Sequence, residues 1–281
     1  MKVEISKPKG YCAGVSAAIK IALKARKENP EKGVFVLGML VHNNFVVKEL
    51  EKHDIKLVKN IEEIPDGNVI VFTAHGHPEA LNDQAKAKKL IIYDSICPTV
   101  QSNINLIKEN LAQGHEIIYI GQENHPEANA CLSLSKKVIL FSKNILKNYY
   151  LFDDDSPLVI NQTTLNILDI QEIHKEILSV FPKARIADEI CGSTRMRQEG
   201  IKNLPLDVDL IIVVGDINSS NTNRLLEIAK QCHPQVTSIM ISCAEQLDLS
   251  LLQNKNHIVI SSGASTPEYI IDEVYNLIVN Y

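Results

Sequence analysis

The chain has no apolar run near the ~18 residues needed to cross a bilayer. Its N-terminus, MKVEISKPKG, has no apolar segment like that of a secretory signal. The expectation is therefore a soluble, cytoplasmic protein with no membrane partner. A basic excess is missing too: 29 Lys and Arg stand against 34 Asp and Glu, a formal net charge of -5. Nucleic acid is not an expected partner for such a surface. The six cysteines contain no CxxC pair, which excludes a zinc ribbon and a local ferredoxin-type cluster run. Neither GxxxxGK[ST] nor GxGxxG occurs, so nucleotide-type phosphate loops are not indicated. With 45% hydrophobic and 22% charged residues, the 281-residue chain is neither disordered nor fibrous. Length alone suggests about two domains, with one large or three small ones also compatible.

What is present is a repeat. Cys12, Cys97 and Cys191 divide the chain at close to thirds. Each follows a strand-like run (VEIS, LIIYDS, ARIAD) and precedes a helical pattern. After Cys12, Val15, Ala18, Ile19, Ala22 and Leu23 share a helical face until Pro30. After Cys97, Pro98 suits the first helical position, Val100, Ile104, Ile107 and Leu111 repeat at helical spacing, and Gly114 ends the run. GSTRMRQEGIKNL after Cys191 is a weaker pattern. Next come an apolar strand with a polar loop (VFVLGMLVHNN, IIYIGQENHPE, LIIVVGDINSSN), a helix and a short strand (IKLV, VILF, SIMI). A second strand and loop follow (VIVFTAHG, LVINQTTL, HIVISSGAS), and then a closing helix. Alternating strands and helices imply βαβ units with mainly parallel sheets. The expected fold is α/β: three similar small units at 13–96, 97–190 and 191–281, around a pseudo-threefold axis. The third unit runs out of chain after its helix, so the N-terminal strand within 1–12 is expected to complete it. The plainer alternative is one doubly wound sheet with coincidental cysteines.

A helix N-terminus offers unpaired N–H groups and a positive dipole end, which favour the thiolate that binds metal. Three thiolates meeting on an axis suit iron–sulfur or zinc. Three ligands leave one iron of a cubane open to polarise a substrate oxygen. Cys131, Cys232 and Cys243 have no counterparts in the other units and read as structural thiols inside helix or strand patterns. The strand-end loops carry His42 and Asn43, His75, His125 with Glu127, Thr163 and Thr164, Ser219 to Asn221, and Ser265. Any one Ser or Asn here is more often a helix cap, and a lone His is more often structural. Their recurrence at equivalent loops points to an anion held by neutral donors and imidazoles. Glu127, beside His125 in NHPEA, is either a helix-terminal acid or a proton relay.

Taken in order, the segments GYCAGV (10–15), VHN (41–43), AHG (74–76), CP (97–98), HPE (125–127), QTTL (162–165), C..T..RQ (191–198), NSSNTNRL (218–225) and SGAS (262–265) run end to end along the chain. In this the sequence resembles the 4-hydroxy-3-methylbut-2-enyl diphosphate reductase (LytB/IspH) family of non-mevalonate isoprenoid biosynthesis. The resemblance implies a trefoil of three α/β domains around a central site. It implies one 4Fe–4S cluster on Cys12, Cys97 and Cys191, its fourth iron open to substrate. His42, His75, His125, Ser219, Ser220, Asn221 and Ser265 would then grip a diphosphate. Thr163 would contact the substrate's hydroxyl region, and Glu127 would deliver protons. The implied reaction removes the C4 hydroxyl with two electrons and two protons, and a ferredoxin or flavodoxin would be the electron donor. Around Cys191 only Thr194 and Arg197-Gln198 keep the family pattern, so the residues between are unassigned. His77 has no assigned role, and no fused RNA-binding extension is expected. Competing readings are a quinolinate synthase-like three-cysteine cluster enzyme, a cluster-based redox sensor and a zinc-bound structural protein.

Overall fold

Short runs rich in Val and Ile form the strands of the computed structural model, which describes residues 1–148, 150, 152–187 and 190–281. β-branched side chains fit a pleated surface packed on both faces. By contact the chain divides into two compact units. One comprises Met1–Ser16, Val41–Glu49 and Cys191–Tyr281; the other comprises Ala17–Leu40 and Leu50–Ile190.

The second of these holds two four-stranded parallel sheets. The first sheet contains β2 (Val34–Leu37), β3 (Ile55–Val58), β4 (Val69–Phe72) and β5 (Ile91–Asp94), in the order β3-β2-β4-β5. The second sheet contains β6 (Ile117–Ile120), β7 (Val138–Leu140), β8 (Leu158–Asn161) and β9 (Arg185–Ile186), in the order β7-β6-β8-β9. Every pairing is parallel. The inner strands β4, β6 and β8 are buried throughout and β2 alternates buried with half-buried residues, while the edges β3 and β5 show exposed residues. Alternation along the second sheet splits its core in two. Ile117, Tyr119, Leu158 and Ile160 face α4 (Pro98–Ala112) and α5 (Pro126–Leu132). Ile118, Ile120 and Val159 face α7 (Ile167–Val180) through Ile170 and Ile177. The two-residue side-chain period of a strand covered by helices on both faces requires this split.

In the other unit, β1 (Lys2–Ile5), β10 (Leu210–Val214), β11 (Thr237–Ile241) and β12 (His257–Ser262) form a parallel sheet ordered β1-β12-β10-β11. Leu210, Ile212, Val214, Ile258 and Ile260 pack against Ile270, Ile271, Val274 and Ile278 of α10 (Glu268–Val279). α8 (Gly192–Lys202) packs on α9 (Ser220–Cys232). Read from its β11 edge, the order is β11-β10-β12-β1, the same plan as the other two sheets. β1 takes the edge place that β5 and β9 take elsewhere, pairing Lys2 with His257 through Ile5 with Ile260. Three parallel α/β sheets are thus observed, as expected.

Three details differ from the expectations. The run ARIAD contributes only Arg185–Ile186, an edge strand bonded along one side; its position 188 lies outside the described residues. Cys243 lies beyond β11 rather than inside a strand. The Ser242 N–H bonds Gln246 Oε1 at 2.7 Å, which turns the chain out of the ladder. Cys131 is buried as expected, whereas Cys232 and Cys243 are only half-buried.

In each sheet the chain leaves one inner strand for the near edge and returns on the other inner strand. In the first two sheets the adjacent inner strands therefore send their connections in opposite directions. Ligand crevices form outside the carboxyl ends of strands at such switch points. The polar loops singled out from the sequence follow those carboxyl ends.

Candidate functional site

Each of the three recurrent cysteines begins a helix. Cys97 is the N-cap of α4, with Pro98 in the first turn, and its N–H bonds Ala74 O at 3.0 Å. Cys191 is the N-cap of α8, and its carbonyl accepts from Arg195 N–H at 2.9 Å. Cys12 directly precedes α1 (Ala13–Glu28); its N–H bonds Ala264 O at 3.0 Å and its sulfur accepts from Val15 N–H at 3.4 Å. All three are half-buried, and no disulfide joins the cysteines. Half-buried thiols at helix starts fit the soft-sulfur donor set of an iron–sulfur cluster. Among the described residues, no group of three or more His, Cys, Asp or Glu is arranged to hold a single metal ion. A cubane is itself the spacer between its ligands, so its cysteines need not converge on one point.

In the unit holding Cys97, α5 carries the acid. His125 is its N-cap, and His125 Nδ1 accepts the Glu127 N–H at 3.2 Å. That acceptor role leaves the ring proton on Nε2. Glu127 is 1% exposed. Its Oε1 accepts the Thr163 N–H and its Oε2 the Thr163 hydroxyl, both at 2.8 Å. Burial pushes the carboxyl pKa up to about 7, against the lowering effect of the two Thr163 bonds. A carboxyl so placed holds and releases a proton near neutrality. The His75 ring stands edge-on to His125, with centroids 5.7 Å apart. Between His75 and His77, Gly76 has φ +79, and a Cβ there would lie 3.1 Å from Ile96 Cδ1. His77 stacks on Phe72 at 3.6 Å, and burial lowers its pKa, so the structure uses it as a packed neutral ring.

In the unit holding Cys12 and Cys191, the loops after β10 and β12 meet the segment 41–49. Ser219 caps α9 by accepting the Thr222 N–H at 3.3 Å. Ser265 donates its hydroxyl to His42 O at 3.2 Å. Burial lowers the His42 pKa, with Asp216 opposing, and keeps this imidazole neutral. Asn221 is 5% exposed, yet its amide oxygen and nitrogen are both buried without a hydrogen-bond partner among the described residues. A buried donor and acceptor left so in a native fold point to a missing ligand or water. The close seat of α9 depends on Gly215 and Gly263. A Cβ at either would lie 2.6 or 2.2 Å from Thr222 Oγ1, less than any real contact.

Two residues of this unit carry more of the geometry than their sequence suggests. Asp216 Oδ2 accepts from Asn44 N and Nδ2, both at 2.8 Å, while Oδ1 accepts from Asn218 N and Nδ2. The turn signal in GDINSS marks an Asx-type loop but not its bond to residue 44. Arg197 is buried inside α8, where no hydrophobic period announces it.

The whole chain has known relatives. A model of the family described as LytB protein matches residues 3–279. The chain is 34% identical over 288 residues to a 4-hydroxy-3-methylbut-2-enyl diphosphate reductase of Malacoplasma penetrans, covering 98% of this chain and 96% of that one. It is 33% identical over 282 residues to a reductase of the same description from Symbiobacterium thermophilum, covering 98% and 95%. Among solved structures, the E-1-hydroxy-2-methyl-but-2-enyl-4-diphosphate reductase from Plasmodium falciparum aligns with a TM-score of 0.91 at 28% identity, over 98% of this chain and 87% of that one. A second reductase structure, described as the terminal enzyme of the non-mevalonate pathway, aligns with a TM-score of 0.71 at 29% identity over the full length of both. Matched from its first strand to its last helix, the chain belongs to the LytB protein family.

Proposed function

We propose that this chain is a 4-hydroxy-3-methylbut-2-enyl diphosphate reductase, which removes the C4 hydroxyl of that substrate using two electrons and two protons. The C–O bond breaks, one proton leaves with the oxygen as water, and the other goes to the allylic carbon. The products are isopentenyl and dimethylallyl diphosphates. The observation that carries the reading is the Glu127–Thr163 pair, a buried acid poised near neutral pH beside a hydroxyl.

A 4Fe–4S cluster on Cys12, Cys97 and Cys191, when bound, supplies electrons singly and a Lewis-acidic iron. The remaining roles belong to the chain. Glu127 holds the proton, and the Thr163 hydroxyl passes it toward the departing oxygen. Glu127 can reprotonate for the second delivery because its pKa lies near neutral pH. In one unit, His42, Ser219, Ser220, Asn221 and Ser265 are assigned to the diphosphate; in the other, His75 and His125. Imidazoles, hydroxyls and the buried amide of Asn221 donate to phosphate oxygens. Binding energy from that remote anchor positions the reacting carbon. The assigned electron donor is a ferredoxin or flavodoxin. Each sheet with its helices is taken as one domain, at 13–96, 97–190 and 191–281 with strand 1–12. No helix among the described residues is long and apolar enough to cross a membrane.

The relatives reported above favour neither the quinolinate synthase-like nor the redox-sensor alternative. The test is anaerobic purification, a visible spectrum, and oxidation of reduced viologen with and without the allylic diphosphate. A brown protein that turns over only with that substrate is expected, and Cys12→Ser should abolish both colour and turnover. Brown protein that binds the diphosphate without consuming viologen would support the sensor instead.

A further inference from the structure

Arg197 is one of the largest fully buried side chains in the protein, 1% exposed in the middle of α8. Its guanidinium is spread across three segments. Nη2 donates to Gly10 O at 2.6 Å, and Nε donates to Ser262 O at 3.1 Å. Nη1 donates to Ser193 O at 3.3 Å and to the Ser193 hydroxyl. The ring of contacts closes because Gly10 N–H bonds Ser262 Oγ at 3.3 Å. Gly10 itself has φ +70, and a Cβ there would lie 2.3 Å from Glu268 Cγ, so the carbonyl's aim depends on glycine.

A guanidinium stays charged at any physiological pH, and burying it is costly without a counter-charge. Among the described residues, Arg197 bonds carbonyls and a hydroxyl, and no carboxylate. The groups that act on it electrostatically are Cys12 and Cys191, which oppose the loss of charge that burial favours. Gly10 is two residues before Cys12, and Ser193 is two residues after Cys191.

We propose that Arg197 is a positioning residue for cluster binding: its fork locks the Cys12 and Cys191 segments together, and its charge balances the thiolate-bound iron held there. This rests on the assignment of Cys12 and Cys191 as ligands. Removing the cation makes it harder to add an electron beside those sulfurs, so the reduction potential must fall.

The test uses anaerobically reconstituted holoenzyme, a redox titration followed by electron paramagnetic resonance, and loss of visible absorbance to a chelator. Thermal unfolding of each apoprotein reports on folding. Arg197→Gln should lower the equilibrium constant for one-electron reduction about tenfold, equal to about 59 mV, and speed cluster loss. Arg197→Lys keeps the charge but not the fork, so its potential should return while cluster loss stays fast. A merely structural role would reduce cluster content without moving the potential of the clusters that remain. A wild-type potential in Arg197→Gln overturns the proposal. If that variant does not fold, an unchanged rate of cluster loss in Arg197→Lys overturns it instead. Cys191→Ser that keeps a full cluster would overturn the ligand assignment, a failure distinguishable from either of these.

Discussion

Two carboxyl groups show how much a residue's chemistry depends on its surroundings. Burial pushes both upward. Asp154 nevertheless falls to about 2, because it accepts bonds from Ser156, His115 and the Glu116 N–H. Among the described residues Glu127 has only Thr163 as donor, and it rises to about 7. With its folded pKa above the ordinary 4.5, the unfolded chain loses this proton first as pH rises. Glu127 therefore costs nothing at pH 4 and destabilises progressively between pH 4.5 and 7. Above that the cost is complete, about 3 kcal/mol. Glu127→Gln should flatten that dependence, making the variant relatively more stable at pH 8 than at pH 5 in urea titrations at the two pH values. The same change should lower turnover by about a hundredfold to ten-thousandfold while cluster content and diphosphate affinity persist. Full activity in this variant would remove Glu127 from the proton path. In the wild type, a protonated donor predicts turnover that declines as pH passes about 7, measured with viologen at fixed potential.

At the scale of the element, helices α1 and α8 stand at opposite ends of legibility. α1 buries Val15, Ala18, Ala22 and Ala25, a face that the helical period exposes at once. α8 buries Thr194, Arg197, Gln198 and Ile201, a face that is almost wholly polar. Apolar periodicity shows such a helix only weakly, because its burial is sustained by hydrogen bonds to other segments rather than by transfer from water. The same distinction governs α9. Its seat needs two glycines at strand ends, and Gly263→Ala places a methyl group 2.2 Å from Thr222 Oγ1. Overpacking of that kind costs about 1–3 kcal/mol. The expected result is a lower Tm and a KM for the allylic diphosphate raised more than kcat is lowered, since Ser219 and Asn221 move with the helix. An unaltered KM would mean that α9 does not bear the diphosphate ligands.

For the molecule as a whole, the repeated strand order β3-β2-β4-β5, β7-β6-β8-β9 and β11-β10-β12-β1 puts the first strand at the edge of the sheet built from the last three. Chain termini commonly fray. Here the N-terminal strand is hydrogen-bonded to β12, which is buried along its full length. Amide exchange at Val3 to Ile5 should therefore track that of Ile258 to Ile260, rather than the fast exchange of a loose end. Hydrogen-exchange mass spectrometry of N- and C-terminal peptides reads this directly. Fast exchange confined to residues 2–5 would show that the sheet is stable without them. Pairing across almost the whole chain also gives slow folding, because loop closure precedes the contacts that reward it.

The alternation of strand and helix, the cysteine at each helix start, and the choice of imidazole, hydroxyl and amide at strand ends were all legible in the amino-acid order. They rest on local period and punctuation, which neighbouring residues settle among themselves. The run ARIAD was over-read for the complementary reason, since how far an edge strand extends depends on the partner beside it. Tertiary structure alone decided that burial raises the Glu127 pKa, that Arg197 lies buried among carbonyls, that Asp216 holds residue 44, and that the Asn221 amide finds no partner among the described residues. A charge or a hydrogen-bonding group has no fixed free energy of its own. Its state is set by the water it loses and by the partners that distant segments bring to it.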